Sequence, residues 1–178
     1  MDSSLPGRLS ATIRSVPDFP KPGIVFRDIT TFLLRPQLLR EAIEALWEPY
    51  HGRADLIAGI ESRGFILAAA MAAAQGLPFV PMRKPGKLPA ATWREAYSLE
   101  YGTDAIEVHQ DALSAGQRVV IVDDLLATGG TAAAAARLVE RGQAQVAGFA
   151  FLVELDFLRG RERLGSHPVH TLVHYTAE

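Results

Sequence analysis

Apolar and polar residues alternate with a helical period in several segments of the chain. Segment 36–47 is the plainest case, because its leucine and isoleucine side chains recur three or four positions apart and share one face. We expect helices at 9–16, 36–47, 64–74 and 132–140. Short apolar runs predict strands at 54–60, 78–82, 119–122 and 146–155, and two further extended pieces at 97–101 and 105–109.

The order of these elements predicts the fold class. Strands alternate with helices, which favours an α/β fold with a mostly parallel twisted sheet flanked by helices. No repeat, low-complexity linker or break in composition divides the chain, so we expect a single domain over residues 1–178. Ligands of such sheets bind beyond the carboxyl ends of the strands, where the polar segments 61–64 and 123–131 are both predicted to lie.

Segment 119–131 carries most of the chemical information in the chain. Four β-branched residues predict a buried strand that ends in Asp123 and Asp124, followed by a turn of small residues and a helix. Backbone N–H groups in a glycine-rich turn at the start of a helix bind anions. The segment therefore predicts an acidic pair for hydroxyl groups or a metal, beside a phosphate cradle made by Ala127, Thr128, Gly129, Gly130 and Thr131.

Each half of this segment has a simpler explanation on its own. A pair of glycines before a helix is often only a turn, and adjacent aspartates after a strand often only cap a helix or face solvent. Two better-known phosphate loops are excluded, since the segment has neither the Gly-Lys-Ser/Thr of a Walker loop nor a G-x-G-x-x-G fingerprint.

Two basic segments are predicted at the same edge of the sheet. Arg63 lies at the start of a predicted helix, where a cation is disfavoured unless it has an anionic partner. Arg83, Lys84 and Lys87 follow the next predicted strand, with proline and glycine between them. Each segment alone could be solvated surface, but three or more cations beside a phosphate cradle suit a ligand that carries a pyrophosphate.

Two more segments suggest parts of an active site. The stretch 85–102 is long enough for an active-site lid, and Glu100 near its end lies beside the aromatic Tyr101, as a general acid or base in a low-dielectric site would. From spacing alone, an exposed glutamate at a strand edge is the simpler explanation. The proline-rich arm 17–28 holds Phe19 and Phe26, whose rings could stack on a flat heterocycle or pack in the core.

Composition narrows the possible classes of function, partner and location. The chain has 178 residues, of which 48% are hydrophobic and 21% charged, with a formal net charge of −2, so we expect no nucleic-acid partner. It has no cysteine, which excludes disulfides and thiol chemistry. We find no signal peptide and no apolar stretch of membrane-spanning length, so we expect no membrane partner and a cytoplasmic location.

Together these segments resemble the type I phosphoribosyltransferases, and the adenine-specific enzymes among them most closely. The resemblance is carried by 17–29, 61–65, 83–89, 97–102 and 119–131, and continues at 153–155 and 160–161. The arm and the lid distinguish the adenine enzymes, whereas 119–131 is shared across the superfamily. Residues 92–96 align least well, and Asp156 and Phe157 beside the base pocket depart from the family pattern.

The resemblance implies a fold, a reaction and a set of roles. The fold is the type I phosphoribosyltransferase sheet with a small hood, formed by the N-terminal arm, and a flexible lid loop. The reaction is the Mg²⁺-dependent transfer of the 5-phosphoribosyl group from phosphoribosyl pyrophosphate to adenine, which gives AMP and pyrophosphate, in a homodimer. The implied phosphoribose site is Asp123, Asp124 and the cradle at 127–131, with Mg²⁺ held by the two aspartates directly or indirectly. The resemblance assigns pyrophosphate to Arg63, Arg83, Lys84 and Lys87, adenine to Val25, Phe26, Arg27 and Leu155, and catalysis to Glu100, as proton donor to the purine, with Tyr101 on the same lid.

Two other functions were compared with this one. Transfer to an oxopurine such as hypoxanthine or xanthine would need donors matched to the oxo group, and segment 25–27 offers no side chain that supplies them. A regulator that only senses phosphoribosyl pyrophosphate would carry a further binding module, for which the chain has too few residues.

Overall fold

The computed structural model describes residues 2–98 and 103–177. Its strands are β1 (Arg14–Val16), β2 (Phe26–Asp28), β3 (Leu56–Ile60), β4 (Phe79–Met82), β5 (Thr92–Ser98), β6 (Thr103–His109), β7 (Arg118–Leu126), β8 (Gln145–Leu155) and β9 (Val169–Tyr175). Its α-helices are α1 (Leu5–Thr12), α2 (Thr30–Leu33), α3 (Pro36–Trp47), α4 (Gly64–Gln75) and α5 (Gly130–Arg141). Short 3₁₀ turns lie at Glu48–Tyr50, Asp156–Leu158 and Gly160–Leu164.

The centre of the fold is a five-stranded sheet in the order β4-β3-β7-β8-β9, in which every neighbouring pair is parallel. The predicted α/β class with a parallel sheet and flanking helices is confirmed. The N-terminal arm pairs β1 with β2 in a separate antiparallel sheet, which is the small hood, and β5 pairs with β6 in a hairpin.

The two faces of the sheet hold two hydrophobic clusters. Along β7, Val120 and Val122 face the cluster that contains the buried residues of α1 to α4, whereas Val119 and Ile121 face the cluster with α5 and the β5–β6 hairpin. This alternation follows from the two-residue period of a strand, and burial on both faces explains why β7 reads as an unbroken apolar run.

Three predicted boundaries are wrong. Segment 9–16 is not one helix: α1 begins earlier, with Ser4 capping it and Pro6 in its first turn, and the chain turns extended at Ile13 to pair β1 with β2. Residues 92–96 are not loop, because Trp93 faces the second cluster and β5, which includes the start of the extended piece predicted from 97, pairs with β6. The strand predicted to end at the aspartate pair continues to Leu126, because β8 supplies partners beyond it.

None of the α-helices in the described part of the chain combines the length and apolarity needed to cross a membrane.

Candidate active site

The acidic pair lies where β7 loses one of its two neighbours. The last pair between β3 and β7 joins Gly59 to Val122, while β7 goes on pairing with β8 through Asp123 and beyond. The side towards β3 is filled by the start of α4, whose first residue is Gly64. A Cβ at Gly64 would lie 2.7 Å from Oδ1 of Asp123, so glycine is what lets the helix approach the carboxylate this closely.

The predicted phosphate cradle forms the N-terminus of α5. Gly129 caps the helix at φ +79° and has no side chain that could bond to the first turn. As far as the described residues show, the N–H groups of that turn are therefore open to an anion. A Cβ at Gly129 would lie 2.3 Å from the carbonyl oxygen of Gly160, and the loop therefore packs against the backbone after β8. A cavity of about 80 Å³ is lined by Asp123 and by all five predicted cradle residues, 127–131.

Arg63 lies across the acidic pair. Its Nε is 2.9 Å from Oδ2 of Asp124, so the anionic partner of this arginine in the structure is a carboxylate of the chain itself. The contact is an ion pair without hydrogen-bond alignment, because Oδ2 of Asp124 and Nη1 of Arg63 are both buried and lack hydrogen-bond partners among the described residues. Two buried polar atoms with unused hydrogen-bonding capacity thus belong to one pair of contacting side chains.

The two aspartates hold protons more tightly than ordinary aspartates do. Burial, and then repulsion from Asp124, raises the pKa of Asp123. Burial also raises the pKa of Asp124, although the charge of Arg63 opposes the shift. A cation or a hydroxyl donor at this pair would therefore stabilise its ionised form.

Arg63 also contacts the N-terminal arm. Its Cζ lies 4.8 Å from the centroid of the Phe26 ring, and Phe19 meets Phe26 edge-on at 5.2 Å. The structure therefore brings the arm and the acidic pair together at one side chain. Val25 and Phe26 are half-buried, while Phe19 is 52% exposed.

The basic loop after β4 is organised by two carboxylates. Glu61 accepts hydrogen bonds from Nε of Arg83 at 3.2 Å and from the backbone N–H of Lys84 at 2.9 Å. Burial alone would raise the pKa of Glu61, but these bonds and the charge of Arg83 hold it below its usual value. Glu107 of β6 accepts the N–H of Gly86 at 3.1 Å, so the loop is fixed from both sides.

The cations of this loop have different surroundings. Nζ of Lys84 pairs with Asp104 and donates to the hydroxyl of Tyr97 at 2.9 Å. Burial tends to lower the pKa of Lys84, but Asp104 and Tyr97 raise it above its usual value. Lys87 is exposed, and its ammonium makes no hydrogen bond or ion pair within the described ranges. The sequence analysis gave no role to Asp104, which lies between the two extended pieces predicted at 97–101 and 105–109.

The remaining predicted residues divide into two groups. Arg27 is buried beside Tyr175 of β9, and Leu155 at the end of β8 is the register partner of the same tyrosine. Tyr175 therefore adjoins both sides of the predicted adenine site. The sequence analysis assigned no role to it. Glu100 and Tyr101 lie outside the described residues. On either side of them in the described chain, Tyr97 near the end of β5 and Asp104 near the start of β6 both contact Nζ of Lys84.

A second polar cluster lies at the carboxyl ends of β8 and β9. Glu154, Asp156 and His174 each offer a ligand atom within 4.8 Å of the others. Arg161 already holds Glu154 through two bonds of 2.7 Å, and Nδ1 of His174 lies 2.9 Å from Asp156. These partners satisfy the cluster as an ion-pair network. The unusual Asp156 therefore has a defined structural partner in His174.

Comparison with known proteins gives one consistent result. The phosphoribosyl transferase domain matches residues 29–170. The adenine phosphoribosyltransferase of Synechococcus sp. is 58% identical over 170 residues, which cover 94% of this chain and 98% of the relative.

Solved structures agree in fold over nearly the whole chain. The adenine phosphoribosyltransferase of Rhodothermus marinus superposes with a TM-score of 0.93 at 53% identity, covering 98% of this chain and all of that one. The enzyme of Saccharomyces cerevisiae, solved with adenine and an imino-altritol bisphosphate, gives a TM-score of 0.90 at 42% identity, covering 96% and 99% of the two chains.

Proposed function

We infer the reaction of this chain from its family: it belongs to the phosphoribosyl transferases and, within them, to the adenine phosphoribosyltransferases. The chain transfers the 5-phosphoribosyl group of phosphoribosyl pyrophosphate to adenine, forming AMP and pyrophosphate. The observation that carries this function is the meeting of three parts at one sheet edge. They are the buried pair Asp123 and Asp124, the open N-terminus of α5, and Arg63, which reaches the aromatic arm.

The phosphoribose end of the substrate suits the acidic pair and the cradle. We propose that the N–H groups and hydroxyls of Ala127, Thr128, Gly129, Gly130 and Thr131 hold the 5′-phosphate, since the cavity they line is small and the helix end favours an anion. Asp123 and Asp124 then accept hydrogen bonds from the ribose hydroxyls. Oδ2 of Asp124 is buried and accepts no hydrogen bond from the part of the chain that the structure describes, so it is the acceptor that such a hydroxyl would satisfy.

The same two carboxylates fit Mg²⁺, which prefers oxygen ligands and keeps several waters. The unsatisfied oxygen of Asp124 is the structural support for this assignment, and the metal would be held directly or through the ribose hydroxyls. When bound, Mg²⁺ offsets the charge of the departing pyrophosphate.

The pyrophosphate end suits Arg63, Arg83, Lys84 and Lys87, which lie after β3 and β4 on the same edge. Breaking the bond to pyrophosphate leaves an oxocarbenium-like sugar, and fixed cations favour that step by stabilising the charge that departs. Glu61 and Glu107 orient the loop that carries three of these cations. Arg63 must exchange its contact with Asp124 for the pyrophosphate to serve in this role.

Adenine suits the space between the arm and the end of β8. We propose that Phe26 stacks on the purine, that the backbone of Val25 and Arg27 recognises its edge, and that Leu155 closes the other side. The half-buried state of Val25, Phe26 and Leu155 supports this, because each keeps a face that a ligand can cover.

The lid supplies a proton and excludes water. Glu100, beside Tyr101, is the proposed donor to the purine ring, and a positioned donor contributes about 10²–10⁴-fold. Closure is needed because water would otherwise compete with adenine for the activated sugar. We also propose, from the family resemblance, that the chain works as a cytoplasmic homodimer.

The test is AMP formation from phosphoribosyl pyrophosphate and Mg²⁺ with adenine, hypoxanthine, guanine and xanthine in parallel assays. We expect turnover with adenine alone. Turnover with an oxopurine instead would retain the phosphate sites and overturn the assignment of segment 25–27. Binding of phosphoribosyl pyrophosphate without turnover of any base would point to a regulator.

A further inference from the structure

The last strand of the sheet carries a side chain that contacts one proposed wall of the adenine site and lies beside the other. Tyr175 ends β9 and is the register partner of Leu155 at the end of β8. Register partners on neighbouring strands point to the same face of a sheet, and both side chains pack against the same hydrophobic cluster. The ring centroid of Tyr175 also lies 3.8 Å from Cζ of Arg27 on β2.

The ring of Tyr175 is important for stabilising the buried charge of Arg27. The residue is only 9% exposed, and no carboxylate lies within ion-pair distance of it in the part of the chain that the structure describes. Its Nη1 donates to the hydroxyl of Ser15, while its buried Nε has no hydrogen-bond partner among residues 2–98 and 103–177. Because a cation–π contact is strongest where water is excluded, the face of Tyr175 is a principal stabilising contact of this buried charge.

The arm that carries Arg27 is a short antiparallel pair of strands, which buried core residues flank at Ile13 and Ile29. Strand β2 is three residues long, and within the described part of the chain it pairs with β1 alone, in a sheet that shares no strand with the central one. Two short strands alone are marginally stable in water. Contacts between the arm and the central sheet must therefore determine where segment 25–27 lies, and the stack of Arg27 on Tyr175 is one such contact at the level of the base site.

We propose that Tyr175 is a positioning residue for the purine, which acts by holding Arg27 and thereby fixes the spacing between segment 25–27 and Leu155. This inference rests on the proposed function, because it takes those residues as the two walls of the adenine site. The tyrosine itself need not touch the substrate. Its aromatic face is the property that matters, since a guanidinium stacks on a π-system and not on an aliphatic side chain.

The experiment compares Tyr175→Phe, which keeps the ring, with Tyr175→Leu, which keeps an apolar side chain and removes the π face. The Michaelis constants for adenine and for phosphoribosyl pyrophosphate are measured separately, together with kcat and the melting temperature. We expect Tyr175→Leu to raise KM for adenine about tenfold, as the loss of a desolvated cation–π contact would, with KM for phosphoribosyl pyrophosphate changed less than about twofold. Tyr175→Phe should keep KM for adenine at the wild-type value.

A control separates positioning from general loss of stability. Leu172→Ala truncates a buried core side chain on the same strand, and it should lower the melting temperature without raising KM for adenine. If Tyr175→Leu is too unstable to assay, Arg27→Gln removes the other partner of the stack and should show the same selective rise. When both fold, their effects on KM should not add, because each breaks the same contact.

Three results would overturn the inference while leaving the proposed function intact. They are an unchanged KM for adenine in Tyr175→Leu, equal rises in both Michaelis constants, and a Tyr175→Phe variant as impaired as Tyr175→Leu. Failure of the proposed function would be seen differently, as the absence of AMP formation by the unsubstituted chain.

Discussion

Nε of Arg63 lies 2.9 Å from Oδ2 of Asp124, yet this buried oxygen accepts no hydrogen bond from the described residues. A buried polar atom without a hydrogen bond costs about 1–3 kcal/mol. The charge of Arg63 offsets part of that cost by attraction alone. A ribose hydroxyl or a metal would therefore satisfy this oxygen better than Arg63 does, and Arg63 can exchange its contact with Asp124 for another anion.

Replacing that oxygen should weaken substrate binding. In Asp124→Asn the charged acceptor is lost, and hydrogen bonds to charged groups are worth about 1.5–3 kcal/mol. We expect KM for phosphoribosyl pyrophosphate to rise at least tenfold and the Mg²⁺ concentration for half-maximal rate to rise with it. Asp55→Asn is the control, because Asp55 pairs with Arg118 before β3 begins, at the opposite edge of the sheet. Equal effects of the two substitutions would contradict the assignment.

Gly129 and Gly116 offer a matched pair for testing the cradle. Both have φ of +79°, but a Cβ at Gly129 would lie 2.3 Å from the oxygen of Gly160, whereas a Cβ at Gly116 would meet nothing within 4 Å. Gly116→Ala should therefore lower the free energy of unfolding by about 1 kcal/mol through backbone strain alone, with unchanged kinetics.

Gly129→Ala should do more, because the loop must shift away from Gly160. We expect a larger loss of stability and a rise of tenfold or more in the dissociation constant of phosphoribosyl pyrophosphate, measured by calorimetry. If both alanine variants bind this substrate equally well, the cradle does not depend on the close packing that the structure places there.

The lysines of the basic loop should contribute unequally. Lys84 is already paired with Asp104 and Tyr97, whereas Lys87 is exposed. Lys87→Ala should raise KM for phosphoribosyl pyrophosphate about tenfold, as expected for a charge-assisted contact. Lys84→Ala should raise it less and should lower the melting temperature by leaving Asp104 unpaired. A larger effect of Lys84→Ala on KM would mean that Lys84 leaves Asp104 when substrate binds.

The local sequence pattern was sufficient to predict features whose residues all lie in one continuous segment. The helix at 36–47 was predicted with the observed bounds, since its apolar face and the proline at its start are both readable in sequence. The cradle was predicted for the same reason: strand, turn and helix follow one another in 119–131. The proximity of Arg63 to the acidic pair could be predicted only approximately, from the rule that the carboxyl ends of parallel strands meet at one edge of the sheet.

Long-range pairing accounts for what the sequence did not reveal. Residues 92–96 lie in a stretch that was predicted as a lid loop, but they belong to β5 because β6 supplies partners along its length. Asp104 and Tyr175 gain their contacts from side chains 20 and 148 positions away, at Lys84 and Arg27, and neither contact has a local signal. Such contacts follow from tertiary structure, which a single sequence does not encode in any local pattern.

The proposed proton donor can be tested although it lies outside the described residues. Glu100→Gln preserves the size of the side chain and removes its acidity, so kcat should fall at least about 10²-fold, with the dissociation constant of phosphoribosyl pyrophosphate within about twofold of the wild-type value. Glu95→Gln is the control, since Glu95 lies on β5 and contacts Arg137. It should disturb the hairpin without this loss of kcat. An unchanged kcat in Glu100→Gln would refute the role.

We expect low pH to destabilise the N-terminal arm, because protonation of Asp28 removes its interaction with Arg14. The hydrogen bond from Arg14, followed by that from the N–H of Thr30, lowers the pKa of Asp28 from 3.8 to about 2. Because the folded-state pKa lies below the unfolded one, the stabilisation is complete above about pH 4 to 5 and is lost as the pH falls towards 2. We expect it to amount to about 1 kcal/mol, since Arg14 is 59% exposed and solvent screens the pair.

Urea unfolding of the wild type and of Asp28→Asn between pH 6 and pH 3 measures this contribution. Asp28→Asn should be less stable than the wild type at pH 6, and the difference should shrink as the pH falls, because protonation of Asp28 removes the same interaction that the substitution removes. Asp111→Asn changes an exposed aspartate and should leave the slope with pH unaltered. A difference between wild type and Asp28→Asn that stays constant over this range would mean that Asp28 does not anchor the arm through its charge. The position of the arm would then depend more on the stack of Arg27 against Tyr175 than on the ion pair between Asp28 and Arg14.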